Sequence, residues 1–186
     1  MSTVIVAEKP GVAREIAGHL GAVVKGDGYL QTRDGKRIVT WAFGHLVRYA
    51  DPHEYGEAWA GRWNLEDLPM VPDTWLMKVQ EESAKQFHTV GRLMNRAERI
   101  ICATDAGLEG EHIFRLIYRF ARCSAPVKRL WVSSLTQEAL ESGLRNLKPG
   151  SDFDRLGETA QARAKADWLV GFIQSDAGLF GKAPDK

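Results

Sequence analysis

Three carboxylates, Asp105, Glu109 and Glu111, crowd into the segment Arg99-Ile-Ile-Cys-Ala-Thr-Asp-Ala-Gly-Leu-Glu-Gly-Glu111. Mg²⁺ takes a few carboxylate oxygens and completes its shell with water and substrate phosphates, so an acid loop of this kind suits phosphate chemistry. The plainer alternative is that the acids cap a following helix and complement its dipole. A second group, Glu8-Lys9, stands just before Pro10-Gly11. It offers a carboxylate for proton transfer beside an ammonium that can neutralise phosphate, although such a pair alone also reads as a solvated loop.

The elements that would position these groups are legible on either side of them. Ile100, Ile101 and Cys102 form a short apolar run, as a buried strand does, and Glu111 to Arg122 carries Ile113, Leu116, Ile117 and Phe120 at helical spacing. Thr3-Val-Ile-Val-Ala7 is another strand-like run, and Pro10 with Gly11 fits a turn into a helix. Both chemical groups therefore leave the carboxyl end of a strand. Strands alternating with helices predict an α/β fold with a mostly parallel sheet, in which ligands bind outside those strand ends.

Four ordered segments carry a resemblance. Ala7-Glu-Lys-Pro10, Ala103-Thr-Asp-Ala-Gly-Leu-Glu-Gly-Glu111, Arg129-Leu-Trp-Val-Ser-Ser-Leu-Thr136 and Gln161-Ala-Arg-Ala-Lys-Ala-Asp-Trp-Leu-Val-Gly171 resemble the successive motifs of type IA DNA topoisomerases, on the topoisomerase III branch. Thr40-Trp-Ala-Phe-Gly-His-Leu46 and Trp63-Asn-Leu-Glu-Asp-Leu-Pro69 resemble that family's linking region. The resemblance implies a Toprim domain, a Rossmann-like metal-binding module with a mostly parallel sheet flanked by helices, over residues 1–150, with a hairpin and linker insertion at about 21–80. Residues 151–186 would then begin the next, helical domain and end in a divergent tail.

What the resemblance implies for function is specific. Such enzymes cut one DNA strand through a tyrosine that becomes joined to a 5′ phosphate, pass another strand through the gap and reseal it. Glu8 and Lys9 fall on the catalytic positions, Asp105 and Glu109 on Mg²⁺ positions, and Lys9 and Arg163 on DNA-contacting ones; the partner is single-stranded DNA. The family pattern has aspartate at Gly107 and arginine at Leu108, so one ligand is missing and Glu111 is the candidate substitute. Tyr29, Tyr49, Tyr55 and Tyr118 all fall outside the position of the family's nucleophile. The isolated chain is therefore expected not to relax DNA, and its partners would include the remaining topoisomerase domains. Two alternatives stand beside this reading: a non-catalytic DNA- or partner-binding module with a decayed metal site, and a Toprim nuclease or primase-like enzyme. Past Gly171 the similarity ends, which leaves a truncated piece, a decayed gene product or a stand-alone Toprim protein.

Composition limits the choices further. The chain has 186 residues, 44% of them hydrophobic, enough for one substantial core with an appendage. Its formal net charge is +1, from 25 basic and 24 acidic residues, so any DNA contact must be local. Arg115, Arg119 and Arg122 recur on one helical face and form a candidate phosphate-facing stripe, or a solvated one. No apolar run approaches a membrane span and Met1-Ser-Thr-Val leads into a strand, so a cytoplasmic location is expected. Cys102 and Cys123 are too few for a zinc cluster.

Between the motifs, Asp34-Gly35 predicts a turn between Tyr29–Thr32 and Arg37–Phe43. His45 follows the second of these strands and is read as structural. Trp59, Trp63 and Trp75 are expected to pack against the core. Helices are predicted over Ser83–Arg96, over Gln137–Leu147 with Thr136 as N-cap, and over Leu156–Val170, where Arg163 and Asp167 are spaced to pair. A further strand is predicted over Val127–Val132.

Overall fold

The computed structural model describes residues 2–59 and 70–176. The Trp63–Pro69 segment and the tail beyond Asp176 lie outside the described residues. The chain divides into two compact units, one from Met1–Arg48 with Val79–Ala160, the other from Tyr49–Lys78 with Gln161–Lys186.

The first unit is built on a seven-stranded sheet. Its strands are β1 (Thr3–Ala7), β2 (Val24–Gly26), β3 (Tyr29–Gln31), β4 (Arg37–Trp41), β7 (Arg99–Ala103), β8 (Val127–Arg129) and β9 (Lys148–Pro149), in the order β2-β3-β4-β1-β7-β8-β9. The middle four, β4-β1-β7-β8, run parallel, while the strands at both edges are antiparallel. β1 is central, which explains its unbroken apolar run: Val4, Ile5, Val6 and Ala7 are all buried, because each face of a central parallel strand is covered.

Helices supply that cover. Ile5 and Ala7 pack with Ile101 and Ala103 against Ala13, Ile16 and Ala17 of α1 (Pro10–His19) and Leu140 of α4 (Gln137–Arg145). α2 (Ala84–Arg96) and α3 (Leu108–Phe120) bury Phe87, Val90, Leu93, Ile113, Leu116 and Ile117, and Phe87 meets Phe120 edge-on at 5.4 Å. The Thr136 hydroxyl caps α4 by accepting from the Ala139 N–H at 3.3 Å. In the β3–β4 turn, Asp34 accepts from the Thr32 hydroxyl at 2.6 Å and the Lys36 N–H at 3.0 Å, with Gly35 at φ 66°. Gln86 ties this hairpin to α2, donating to the carbonyls of Trp41 and Gly28 at 2.7 and 3.1 Å.

Several element bounds differ from those expected. α3 begins at Leu108, not Glu111, so Glu109 and Glu111 stand in its first turn. β8 ends at Arg129. Residue 150 opens a 3-10 turn (Gly150–Phe153) that leads directly into α5 (Asp154–Asp176), and the division between the compact units falls within α5, after Ala160.

The second unit carries an aromatic cluster. Trp75 packs edge-on against Tyr49 at 5.1 Å and Trp168 at 5.2 Å, while Tyr55 lies 5.6 Å from Trp59 and 5.7 Å from Trp168. Trp168 donates through Nε1 to the Ala50 carbonyl at 2.9 Å. Trp59 and Trp75 thus pack within this unit. β5 (Val47–Tyr49) and β6 (Met77–Val79) form a two-stranded ribbon where the chain passes between units.

Candidate metal and phosphate site

β1 and β7 are parallel neighbours in register, Ala7 opposite Ala103. The chain leaves β1 towards β4 on one side and leaves β7 towards β8 on the other, so the connections diverge at their carboxyl ends, the place where open α/β sheets bind ligands. Glu8 and Asp105 emerge there together. The Glu8 carboxylate accepts from the Asp105 N–H at 3.2 Å, and Lys9 Nζ lies 3.3 Å from Glu8 and 3.2 Å from Asp105. Glu8 is 6% exposed, whereas the Lys9 and Asp105 side chains are more than half exposed. The hydrogen bond to Asp105, then the charge of Glu8, raise the Lys9 pKa above its ordinary value. One cation therefore already bridges two carboxylates across adjacent strand ends.

Glu109 is 72% exposed in its side chain and pairs with His45, whose Nε2 is 2.5 Å away. His45 also meets His112 of α3 edge-on at 5.8 Å. Burial, then the proximity of His45, lower the His112 pKa. His45 thus belongs to the acid cluster, which its sequence context alone did not settle. The available signal was its place directly after β4, a parallel neighbour of β1.

Glu111 is placed elsewhere. It is 3% exposed, with one oxygen 2.8 Å from Arg115 Nε and the other 3.2 Å from Arg129 Nε. Both oxygens are held by guanidinium groups inside the protein, so Glu111 is a poor substitute for the missing ligand. Arg129, 1% exposed, also donates to the carbonyls of Cys102, Thr104, Leu130 and Asp105 at 2.8 to 3.1 Å. A buried guanidinium balanced by Glu111 thereby fixes the backbone of the acid loop from below.

Two glycines shape that loop differently. A Cβ on Gly110 would stand 2.2 Å from the Asp105 carbonyl oxygen, so only glycine allows the helix start to approach this closely. The buried Thr104 hydroxyl donates to the Gly110 carbonyl at 2.8 Å and locks the approach. Gly107 caps α3 with extended backbone, and a Cβ there would meet nothing within 4 Å.

The remaining candidates are placed as follows. Arg163 lies on α5 in the second unit, exposed, with Nε 3.7 Å from Asp167 as the spacing suggested. The arginine stripe is broken: Arg115 is committed to Glu111 and to Asp154 at 2.9 Å, and Arg122 lies past the helix end at φ 51°. Burial raises the Tyr55 and Tyr118 pKa values, and the Tyr118 hydroxyl donates to the Ala125 carbonyl at 2.9 Å. Among the described residues, the group of three ligand types lying within 4.8 Å of one another is Asp51, His53 and Glu54 in the second unit. Lys78 already serves that group as cation, 2.9 Å from Asp51 and 2.5 Å from Glu54.

Residues 3–135 match the Toprim domain model. The chain belongs to the Toprim domain family. Toprim domains bind a divalent metal. The Toprim chain is 48% identical over 171 residues to a protein named DNA topoisomerase 3 from Bacillus anthracis, and 47% identical over 169 residues to one of the same name from Shouchella clausii. These alignments cover 91% and 90% of this chain and 23% of each relative, so the chain spans about a quarter of their length. The fold is similar to full-length topoisomerase I from Thermotoga maritima, with a TM-score of 0.62 and 21% identity over 92% of this chain and 25% of that one.

Proposed function

We propose that this Toprim chain supplies the Mg²⁺-binding, phosphoryl-transfer part of a type IA DNA topoisomerase of the topoisomerase III branch. The observation that carries the reading is the bridge of Lys9 between Glu8 and Asp105 at the divergence of β1 and β7. The 48% identity to proteins named DNA topoisomerase 3 supports the assignment to that branch.

In this reading Asp105 and Glu109 would hold Mg²⁺, which would supply charge stabilisation to the reacting phosphate. Lys9 sits beside the same phosphate and neutralises charge that develops on its oxygens. Glu8 holds or releases a proton at the carboxylate that now accepts from the Asp105 N–H. Arg163 serves as a backbone contact once it leaves Asp167. The tyrosine that attacks the phosphate belongs to another part of the enzyme, and the substrate is single-stranded DNA.

The test is a Mg²⁺ titration followed by amide shifts. Changes confined to residues 8–9 and 105–109, abolished by Asp105→Asn, support the reading; no response at millimolar metal overturns the metal assignment. The isolated chain is expected not to relax supercoiled DNA. Mg²⁺-dependent relaxation by the pure chain would overturn the separation of tyrosine and metal site. One observation favours the non-catalytic alternative: Gly107 contributes no oxygen donor to the loop. The same titration decides between them.

A further inference from the structure

The carboxyl edge of the parallel strands carries more than acids. The Ala42 N–H donates to the Ala7 carbonyl at 2.9 Å, so pairing of β4 with β1 continues past Trp41 and brings Phe43 level with the Glu8-Lys9 turn. On the other side, the Leu130 N–H donates to the Cys102 carbonyl at 2.9 Å, which brings Trp131 level with the Thr104-Asp105 turn. Across four adjacent strand ends the order is therefore Phe43, Glu8-Lys9, Asp105, Trp131. At ordinary strand spacing the row spans about 14 Å.

Both flanking aromatics are presented to solvent, Phe43 at 58% and Trp131 at 36%. Trp131 is also held rigidly. Its ring stacks on Phe153 with centroids 4.8 Å apart and planes at 26°, and the Arg129 guanidinium lies 5.0 Å from its centroid. Arg129 is 5.9 Å from the Phe153 ring. Were the indole sandwiched between the two, that last separation would approach the sum of the other two. The three groups instead form a triangle, with Phe153 stacked on the indole and the guanidinium over its ring, and Trp131 still keeps 36% exposure.

A large aromatic held exposed one strand away from a phosphate site has a natural ligand in an unpaired base. Every base has a π-face, and stacking on an aromatic side chain is tolerant of sequence. Bases in a duplex are already stacked on one another, so such a platform also discriminates against paired DNA. We propose that Trp131 is a stacking platform for an unpaired nucleobase next to the phosphate engaged at Glu8, Lys9 and Asp105, with Phe43 the corresponding platform on the far side of the row. This rests on the proposed phosphoryl-transfer reading and adds to it the groups that select single strands.

The experiment compares two short single-stranded probes of equal charge, an oligodeoxythymidylate and its abasic counterpart, on wild-type protein, Trp131→Ala and Trp131→Phe. Wild type is expected to prefer the base-bearing probe by roughly ten-fold or more, the scale of one stacked base. Trp131→Ala is expected to lose most of that preference while holding the abasic probe as wild type does, and Trp131→Phe to keep it largely. Because the preference is a ratio measured on one sample, a partly unfolded variant does not mimic the result. Equal binding of both probes by wild type, or an unchanged preference in Trp131→Ala, overturns the platform and leaves the phosphate site standing. Wild-type protein that binds neither probe overturns the DNA reading and the platform with it.

Discussion

Arg129 donates through Nη2 to the main-chain carbonyl of Asp105 at 2.8 Å, reaching from β8 beneath the turn that follows β7. The candidate metal ligand is thus held by its backbone, by a buried cation, while its carboxylate stays exposed. Function and support are divided between opposite sides of the same residue.

That division separates Glu111 from Glu109. Glu111→Ala leaves the guanidiniums of Arg115 and Arg129 without their shared counter-charge, and breaking a buried pair costs about 3–5 kcal/mol. Glu109→Ala removes an exposed carboxylate and is expected to change stability by less than about 1 kcal/mol. Urea unfolding of both variants checks the contrast, and Mg²⁺ titration should reverse it, with affinity lost in Glu109→Ala.

Lys9 competes with any cation for Glu8 and Asp105. Lys9→Gln is expected to tighten Mg²⁺ binding by the chain alone while weakening its binding to single-stranded DNA, since a phosphate contact is lost. Parallel calorimetric titrations with metal and with oligonucleotide would read the two opposite signs. A variant weakened for both would refute the competition.

Neighbouring glycines should respond in opposite ways to an added side chain. At Gly107 the backbone is extended and the space open, so Gly107→Asp is expected to fold normally and to strengthen Mg²⁺ binding by restoring an oxygen donor. At Gly110 a methyl group would meet the Asp105 carbonyl at 2.2 Å. Gly110→Ala is expected to cost about 1–3 kcal/mol through forced displacement of the loop. Thermal melts and metal titration of the two variants test this.

His112 sets a pH dependence. Its folded-state pKa lies below the ordinary 6.5, chiefly because it is buried. Between that lowered value and 6.5 the unfolded chain binds a proton that the folded chain does not, so stability rises with pH there. The contribution is fully present above pH 6.5 and is lost as pH falls towards the folded-state value. Urea midpoints measured from pH 7.5 down to pH 5 should drop, and His112→Gln should flatten that slope.

Local chemistry explains which elements could be read directly. The Asp34-Gly35 turn, the Thr136 cap and the Thr3–Ala7 strand each depend on side chains within a few residues of one another, and each occurs as expected. The α3 start did not, because Gly107 as N-cap adds a turn of helix ahead of the apolar period. That shift mattered. Residues two apart on a helix lie on different faces, so placing Glu109 and Glu111 in one first turn sends one outward to His45 and the other inward to Arg129. As members of a loop, all three acids looked equally able to reach a metal.

By itself the sequence determined which groups are available and that each leaves a strand end: Glu8 and Lys9 after one apolar run, Asp105 after another. The tertiary structure alone decided that those ends are neighbours, through the order β4-β1-β7-β8, and that Phe43, His45 and Trp131 join them. Strand order and helix rotation are set by burial of whole faces, a balance among residues far apart in the chain, which no local spacing records.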